Sequence, residues 1–236
     1  MSDVFSRFEL LIGKKSLEIL KKSRVIVFGV GGVGGHVIEG LVRSGLENID
    51  IVDNDTISPS NLNRQIIALH STIGENKVDV MEKRIKDINP NCSVKKWNLF
   101  FLPETSEQID FSVYDYVVDC VDTVSAKIEI IKKAKLLNIP IISSMGTGNK
   151  LNPLDFEITD ITKTSVCPLA RVIRQELKKL NIKNVKVLYS KENPILPKYE
   201  YKSEQLNKKS IPGSSAFVPS VAGLVICSEV VKDLIK

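Results

Sequence analysis

Histidine is nearly absent. His36 and His70 are the only two in 236 residues, so a metal centre built on imidazole has no ligand set to draw on. The four cysteines, Cys92, Cys120, Cys167 and Cys227, are scattered, and none forms a C-x-x-C pair. Neither a structural zinc site nor a thioredoxin-type motif is readable, and such dispersed thiols are expected to be reduced. There is no run of eighteen apolar residues, and the opening Met-Ser-Asp-Val-Phe-Ser-Arg carries no apolar signal-peptide core. The expectation is a cytoplasmic protein. Internal repeats and low-complexity tracts are missing too. What remains is a chain whose hydrophobic share, 43%, suits a packed core, and whose length suits one large α/β domain or one domain with an appendage.

The net charge of +5 is unevenly spread. Residues 150–210 carry 13 Lys+Arg against 7 Asp+Glu, while the remainder has 20 against 21. A basic second half suits a polyanion such as RNA. It equally suits a solvated lysine-rich surface. Charge alone leaves both readings open.

Periodicity divides the chain into alternating strands and helices. An amphipathic helix is expected over 9–22, strand one over 24–29, a helix over 33–44 and strand two over 48–53. A long polar connection over 55–74 leads to a helix over 77–88, with Val78, Met81, Ile85 and Ile88 on one face. Asn89-Pro90 ends it. Strands over 94–98, 114–119 and 139–143 and a helix over 124–137 follow. Beyond residue 150 come a strand near 155–159, a helix over 166–180, a strand over 184–189 and a polar linker over 190–213. An apolar helix over 218–234 closes the chain. This alternation implies a doubly wound, mostly parallel Rossmann-like α/β sheet with helices on both faces. Right-handed crossovers bring the strand ends to one edge, where ligands bind. The nucleotide-binding core is expected over 1–150 and a basic extension over 151–236, within a single domain. The last helix reads as core packing, with association to a membrane surface as the alternative.

The chemistry concentrates on that edge. Strand one runs into Gly29-x-Gly31-Gly32-x-Gly34 and then a helix. Such a turn lets the backbone approach phosphate oxygens, and the helix start aims N–H groups at them. Asp53 ends the next strand, 24 residues after Gly29, where a carboxylate reaches a ribose hydroxyl. Asp55 lies two residues on, at the mouth of the strand. Asn61, Arg64 and Gln65 follow on the next loop, and Lys77 opens a helix from which its ammonium reaches phosphates on the glycine turn. Asp119-x-x-Asp122 ends another strand on the same edge, where a carboxylate can hold Mg²⁺ between phosphates. A nicotinamide dehydrogenase has no use for Arg64 here; an enzyme that handles ATP phosphates does. Each residue alone also has a plain structural reading: Asp122 as a helix cap, Lys77 as a solvated helix residue.

These motifs, together with Gly74-x-x-Lys77 and Ile88-Asn89-Pro90, stand in the order and spacing of the adenylating enzymes. The chain resembles the family related to ubiquitin-activating enzyme and to the ThiF-type adenylyltransferases of molybdopterin and thiamine biosynthesis. The resemblance spans residues 5–145. It implies ATP over Gly29, Gly31, Gly32 and Gly34, and ribose on Asp53. It also implies phosphates on Asn61, Arg64 and Lys77, and Mg²⁺ on Asp122. Arg7 lies where the family often supplies an arginine from the partner subunit, which implies a homodimer. The paired C-x-x-C zinc ligands usual in sulfur-carrier activation are missing. Instead, Ser143-Ser144-Met145-Gly146-Thr147-Gly148-Asn149-Lys150 is similar to the branch of tRNA threonylcarbamoyladenosine dehydratases. So are Asp160 through Ala170 and Pro212-Gly213-Ser214 through Gly223. Some members of that branch carry aspartate where this chain has Cys167.

The resemblance therefore implies ATP-dependent ring closure of threonylcarbamoyladenosine at position 37 of tRNA. Arg171, Arg174, Lys178 and Lys179 would meet the RNA backbone; Arg171 and Arg174, one turn apart, are expected to share a face. The plain reading of these four is an exposed helix face. A competing enzymatic reading is activation of a ubiquitin-like or sulfur-carrier protein with Cys167 as acceptor thiol, lowered in pKa by the helix start. A third reading is a nucleotide-dependent binding module without catalysis that docks a cysteine desulfurase, a sulfur acceptor or RNA.

Overall fold

The computed structural model describes residues 4–196, 198–199 and 212–236. Seven strands form one sheet in the order β3-β2-β1-β4-β5-β7-β6. They are β1 Arg24–Phe28, β2 Asn48–Val52, β3 Ser93–Trp97, β4 Tyr116–Asp119, β5 Ile141–Ser144, β6 Phe156–Asp160 and β7 Lys186–Ser190. All neighbours are parallel except β6, which runs antiparallel to β7. The expected doubly wound sheet is present, with one reversed strand at its edge.

Covering both faces of a parallel sheet requires its central strands to be apolar throughout. Val25, Ile26, Val27 and Phe28 of β1 and Tyr116, Val117 and Val118 of β4 meet this and are buried. Helices α3 (Gly34–Arg43), α4 (Lys77–Ile88) and α7 (Phe217–Leu234) share one core cluster with Val25, Val27, Ile49 and Ile51. Helices α5 (Val124–Leu136) and α6 (Pro168–Lys179) share the other with Ile26, Phe28 and Val117. The edge strand β3 is exposed and carries Lys95 and Lys96, charges that discourage pairing with another chain.

Several boundaries differ from the sequence-based expectation. The first helix is two, α1 (Ser6–Ile12) and α2 (Lys14–Lys22), because Gly13 adopts φ 81 between them. Regular leucine spacing runs through this break, so periodicity alone misses it. The strand expected from Tyr114 starts at Tyr116, after a 3-10 turn over Phe111–Val113. The 55–74 connection contains 3-10 turns at Pro59–Asn61 and His70–Thr72. Most of the expected 190–213 linker lies outside the described residues. The last helix buries Val218, Ala222, Ile226 and Val230 and packs on α3, so its apolar character is used in the core. Among the described residues, no helix is long and apolar enough to cross a membrane.

Residues past 150 continue the same sheet. β7 pairs with β5 through Ile142↔Lys186 and Ser144↔Leu188. Lys186 also binds Glu229 at 2.7 Å and Asp233 at 2.5 Å on α7, and Tyr116 Oη donates to Asp233 at 2.8 Å. A polar seam thus joins β4, β7 and α7 at the edge opposite the glycine turn.

Candidate nucleotide site

The glycine turn follows β1 at the sheet edge formed by the strand C-termini. Gly29 has φ +90, and a Cβ there would stand 2.9 Å from the Cys120 carbonyl oxygen. At Gly34 a Cβ would fall 1.8 Å from the Gly29 carbonyl oxygen. Side chains are therefore excluded at both positions. The amides of Gly31, Gly32 and Val33 donate to no partner among the described residues. They precede α3, the arrangement in which a helix start accepts a phosphate.

Asp53 stands one residue beyond β2. Its Oδ2 accepts the Val30 amide at 2.7 Å and its Oδ1 the Asp55 amide at 2.9 Å. Burial raises its pKa, and the ammonium of Lys77 opposes that rise. Lys77 is the first residue of α4 and is 5% exposed, which rules out a solvated helix residue. Its Nζ lies 2.7 Å from Asp55 Oδ2 and 3.7 Å from Asp53 Oδ1, and its amide donates to the Asp55 carbonyl at 3.0 Å. One buried cation thus serves two carboxylates beside the turn.

The 3-10 turn after β2 brings three more residues to this edge. Asn61 is buried, and its Oδ1 accepts the Ser58 amide at 3.1 Å. Arg64 is half-buried and its Cγ lies 3.4 Å from where a Cβ on Gly32 would stand. Its guanidinium donates to Ser60 O at 2.8 Å and Asn63 Oδ1 at 2.9 Å. Gln65 is 7% exposed, and its Oε1 has no partner among the described residues. Its Nε2 is 4.0 Å from the position of a Cβ on Gly31. The orphaned Oε1 is an acceptor and calls for a donor, whereas Nε2, the donor, is the atom that faces the glycine turn.

Asp122 is exposed on the turn between β4 and α5. The helix cap falls to Thr123, so the capping explanation for Asp122 does not apply. Beneath this turn lies a feature that the motif reading passed over. Lys127 is wholly buried and donates to Asp119 Oδ2 at 2.9 Å, to Ser144 O at 2.7 Å and to Ser143 Oγ at 3.3 Å. The available signal was a lysine aligned with Ile130, Ile131 and Ala134 on the apolar face of α5.

On the β5 side, a Cβ on Gly146 would stand 3.7 Å from Cys167 Sγ. Cys167 is buried at the start of α6, which fits the small core residue rather than an acceptor thiol open to a carrier protein. Burial pushes the Cys92 and Cys227 thiols up to about 12, away from the reactive thiolate. The start of α7 completes the edge. Pro219 Cβ lies 3.3 Å from the position of a Cβ on Gly32, and Asn63 Nδ2 donates to Ser214 O at 3.0 Å. Next to it, Asn149, Lys150, Leu151, Ile195, Leu196 and Ser214 line a cavity of about 200 Å³. A larger cavity, about 440 Å³, lies on the outer face of α5 and holds none of the motif residues.

The remaining expected residues are dispersed. Phe5, which leads into α1, packs 3.6 Å from where a Cβ on Gly45 would stand, beyond the far end of α3. Arg7, exposed on α1, is therefore held away from the glycine turn of its own chain. Arg171 is exposed near the start of α6, on the site edge. Arg174 is turned inward onto the Thr164 carbonyl at 2.9 Å and does not share an open face with it. Lys178 and Lys179 lie at the other end of α6, whose twelve residues span about 18 Å. Lys179 pairs with Glu176 at 2.7 Å.

An open α/β sheet, a glycine cradle and flanking cations define a nucleotide-phosphate-binding protein of the doubly wound class. Comparison with known proteins narrows this. The ThiF family model matches residues 5–236, and the chain belongs to that family. It is 48% identical to a tRNA threonylcarbamoyladenosine dehydratase of Bacillus subtilis over 98% of this chain and 94% of that protein. The Escherichia coli tRNA N6-threonylcarbamoyladenosine dehydratase TcdA, solved in complex with ATP, superposes with a TM-score of 0.89 at 30% identity. That match covers 98% of this chain and 93% of the other. An adenylyltransferase and sulfurtransferase UBA4 of Vanderwaltozyma polyspora is 36% identical over only 58% of this chain and 32% of its own length.

Proposed function

We propose that this protein is an ATP-dependent tRNA threonylcarbamoyladenosine dehydratase that closes the threonylcarbamoyl group on adenosine 37 into a ring. The observation that carries this reading is the extent of the likeness. The dehydratase relative matches 98% of the chain, beyond the nucleotide-binding half shared with carrier-activating enzymes.

ATP lies with its phosphates on the amides of Gly31, Gly32 and Val33 and its ribose toward Asp53, beside Asp55. Asn61 and the Gln65 Nε2 would face the same phosphates as donors. The substrate carboxylate oxygen attacks the α-phosphorus as the bond to the bridging oxygen breaks, and pyrophosphate leaves. Arg64 and Lys77 offset the charge that develops on the phosphate oxygens. The product is an acyl-adenylate. An atom of the neighbouring ureido group attacks its carbonyl, loses its proton to solvent and expels AMP, so one carboxyl oxygen departs with the AMP. Because nucleophile and electrophile belong to one substrate, proximity supplies much of the rate, and no protein nucleophile is required.

Mg²⁺ fits this edge through Asp122, since this ion commonly takes one or two carboxylates together with phosphate oxygens and water. Among the described residues no cluster of three acidic, histidine or cysteine ligands exists, so Asp122 would hold the ion only together with the phosphates of a bound nucleotide. When bound, the ion neutralises charge on the leaving pyrophosphate.

The tRNA enters on the β5–β7 side, by the cavity beside Ser214, with Arg171, exposed near the start of α6, turned to it. Lys178 and Lys179 meet more distant backbone phosphates, and Arg174 serves as scaffold. Two copies of the chain form the enzyme, with Arg7 acting across the interface.

The test is nucleoside mass spectrometry of tRNA carrying threonylcarbamoyladenosine after incubation with the protein and Mg-ATP. Loss of one water from that nucleoside with formation of AMP is expected. Unchanged tRNA, with ATP–pyrophosphate exchange on adding a small carrier protein, overturns the reading in favour of carrier activation.

A further inference from the structure

The buried charge on Lys127 has no part in the chemistry above, yet it lies directly beneath the site. Its ammonium joins three pieces of chain. Lys127 itself sits in the first turns of α5, and its amide donates to the Thr123 carbonyl at 3.0 Å. Asp119, wholly buried at the end of β4, accepts from Lys127 and from Ser143 Oγ, the latter at 2.5 Å, on the same Oδ2. Its other oxygen, Oδ1, accepts the Val121 amide at 3.1 Å. Ser144 at the end of β5 offers its carbonyl to the same ammonium at 2.7 Å.

These contacts fix both lips of the sheet opening. The β4–α5 turn, 120–123, leans on the glycine turn through the Cys120 carbonyl, against which Gly29 is packed, and it carries Asp122. The Ser144 carbonyl opens the segment over 145–150, which lines the second-substrate side. A parallel sheet alone sets the strand ends, but not the relative placement of two loops leaving them. A buried ion pair contributes little net stability against its desolvation, and its best-attested use is to specify one arrangement.

We propose that Lys127 is a positioning residue that couples the Asp122 turn to the β5 loop, holding the ATP half and the tRNA half of the site in reactive register. Asp119 and Ser143 are its anchors. The proposal rests on the reading above for which substrate meets which lip. Misplacement by about an ångström costs roughly a hundredfold in rate even without loss of binding. Lys127 touches neither the glycine cradle nor Asp53, so the AMP half should bind as before.

Removing one charge alone strands the other in the core, so the decisive protein is the double variant Lys127→Met/Asp119→Asn, which leaves neither. Thermal melting identifies it as folded, calorimetry gives its AMP affinity without metal, and steady-state assays with tRNA give kcat and the ATP KM. The expectation is a fall in kcat of about 10- to 100-fold, with AMP affinity and ATP KM within about threefold of wild type. A folded double variant with wild-type kcat overturns the proposal, as does one whose AMP affinity falls in step with kcat. If the double variant does not fold, Ser143→Ala decides, because it removes one anchor while both charges stay paired. A kcat-selective fall in Ser143→Ala supports the proposal, and an unchanged kcat overturns it. Wild-type protein inactive on tRNA fails the functional reading instead, a result separate from equality of wild type and folded variant.

Discussion

Lys77 is the residue on which the electrostatics of the nucleotide edge turn. It is buried, and it faces both Asp53 and Asp55. Burial drives the Asp53 pKa up, and Lys77 is the largest opposing influence. Lys77→Met leaves two carboxylates beside a phosphate cradle with no cation between them. We expect kcat/KM for ATP to fall by about 10²–10³, the range seen when one charge-stabilising group is lost. A second consequence separates this from general damage. Without Lys77, Asp53 takes up a proton at a higher pH, because one opposing influence on its upward shift is gone. AMP affinity measured by calorimetry should therefore drop more steeply from about pH 7 to about pH 5 in the variant than in wild type. Parallel pH profiles would show that Asp53 does not sense Lys77 in the way its geometry indicates.

At the scale of elements, α3 and α4 are tied by Glu39. Its Oε1 accepts from Arg43 Nε at 2.8 Å and Arg84 Nη2 at 3.0 Å, and Arg84 Nε reaches Oε2. Burial acts to raise the Glu39 pKa, but hydrogen bonds from Arg84 and Arg43 outweigh it and hold the carboxyl below its ordinary value of 4.5. A depressed folded-state pKa contributes stability that is present above the unfolded value and is lost as pH falls through the folded one. Wild type should exceed Glu39→Gln by about 1 kcal/mol near neutral pH, some 2–4 °C in Tm for a chain of this size. The gap should begin to narrow as pH falls below the ordinary carboxylate value and close once pH passes the lowered folded value. A gap that persists there means that packing, not charge, joins the helices. Elements of this kind were legible in the sequence because apolar stripes and glycine punctuation are local. Val78, Met81 and Ile85 mark the buried face of α4, and Gly29 and Gly34 mark a turn that admits no side chain. The reversed direction of β6 was not legible, since antiparallel pairing with β7 depends on a partner some thirty residues away. Nor was the break at Gly13, nor the partnership of Lys127 with Asp119 and Ser143, which joins three elements and leaves no local pattern beyond a lysine on an apolar face. The fate of Arg174 was hidden likewise, because its partner, Thr164, precedes the helix.

For the whole molecule, the proposed role of Arg7 requires a second copy, because its own chain keeps it distant from the site. Helix α1 presents Leu10 at 87% and Leu11 at 81% exposed, and Val4 beside it is 79% exposed. On the proposed dimer, these neighbouring apolar side chains would be covered by the second copy. In a two-fold dimer each copy offers the other the same patch, so an arginine remote from one site can be delivered to its partner's. The arrangement has a consequence that no monomer shares. Arg7→Ala and Arg64→Ala are each expected to be nearly inactive as pure homodimers. Mixed in equal amounts and allowed to exchange subunits, they form heterodimers in which one site carries both lesions and the other carries neither. With random exchange half of the dimers are hybrid, and each hybrid has one intact site out of two. The mixture should then recover about a quarter of wild-type turnover, measured as AMP formed with modified tRNA. Equal recovery of none after verified exchange, followed by mass spectrometry of the intact dimers, would mean that Arg7 serves its own subunit or none. Replacing Leu10 and Leu11 with lysine provides the companion result. If α1 forms the interface, that variant sediments as a monomer and keeps the fold of the sheet. It also loses turnover, because each site then lacks the arginine that only a second copy can bring.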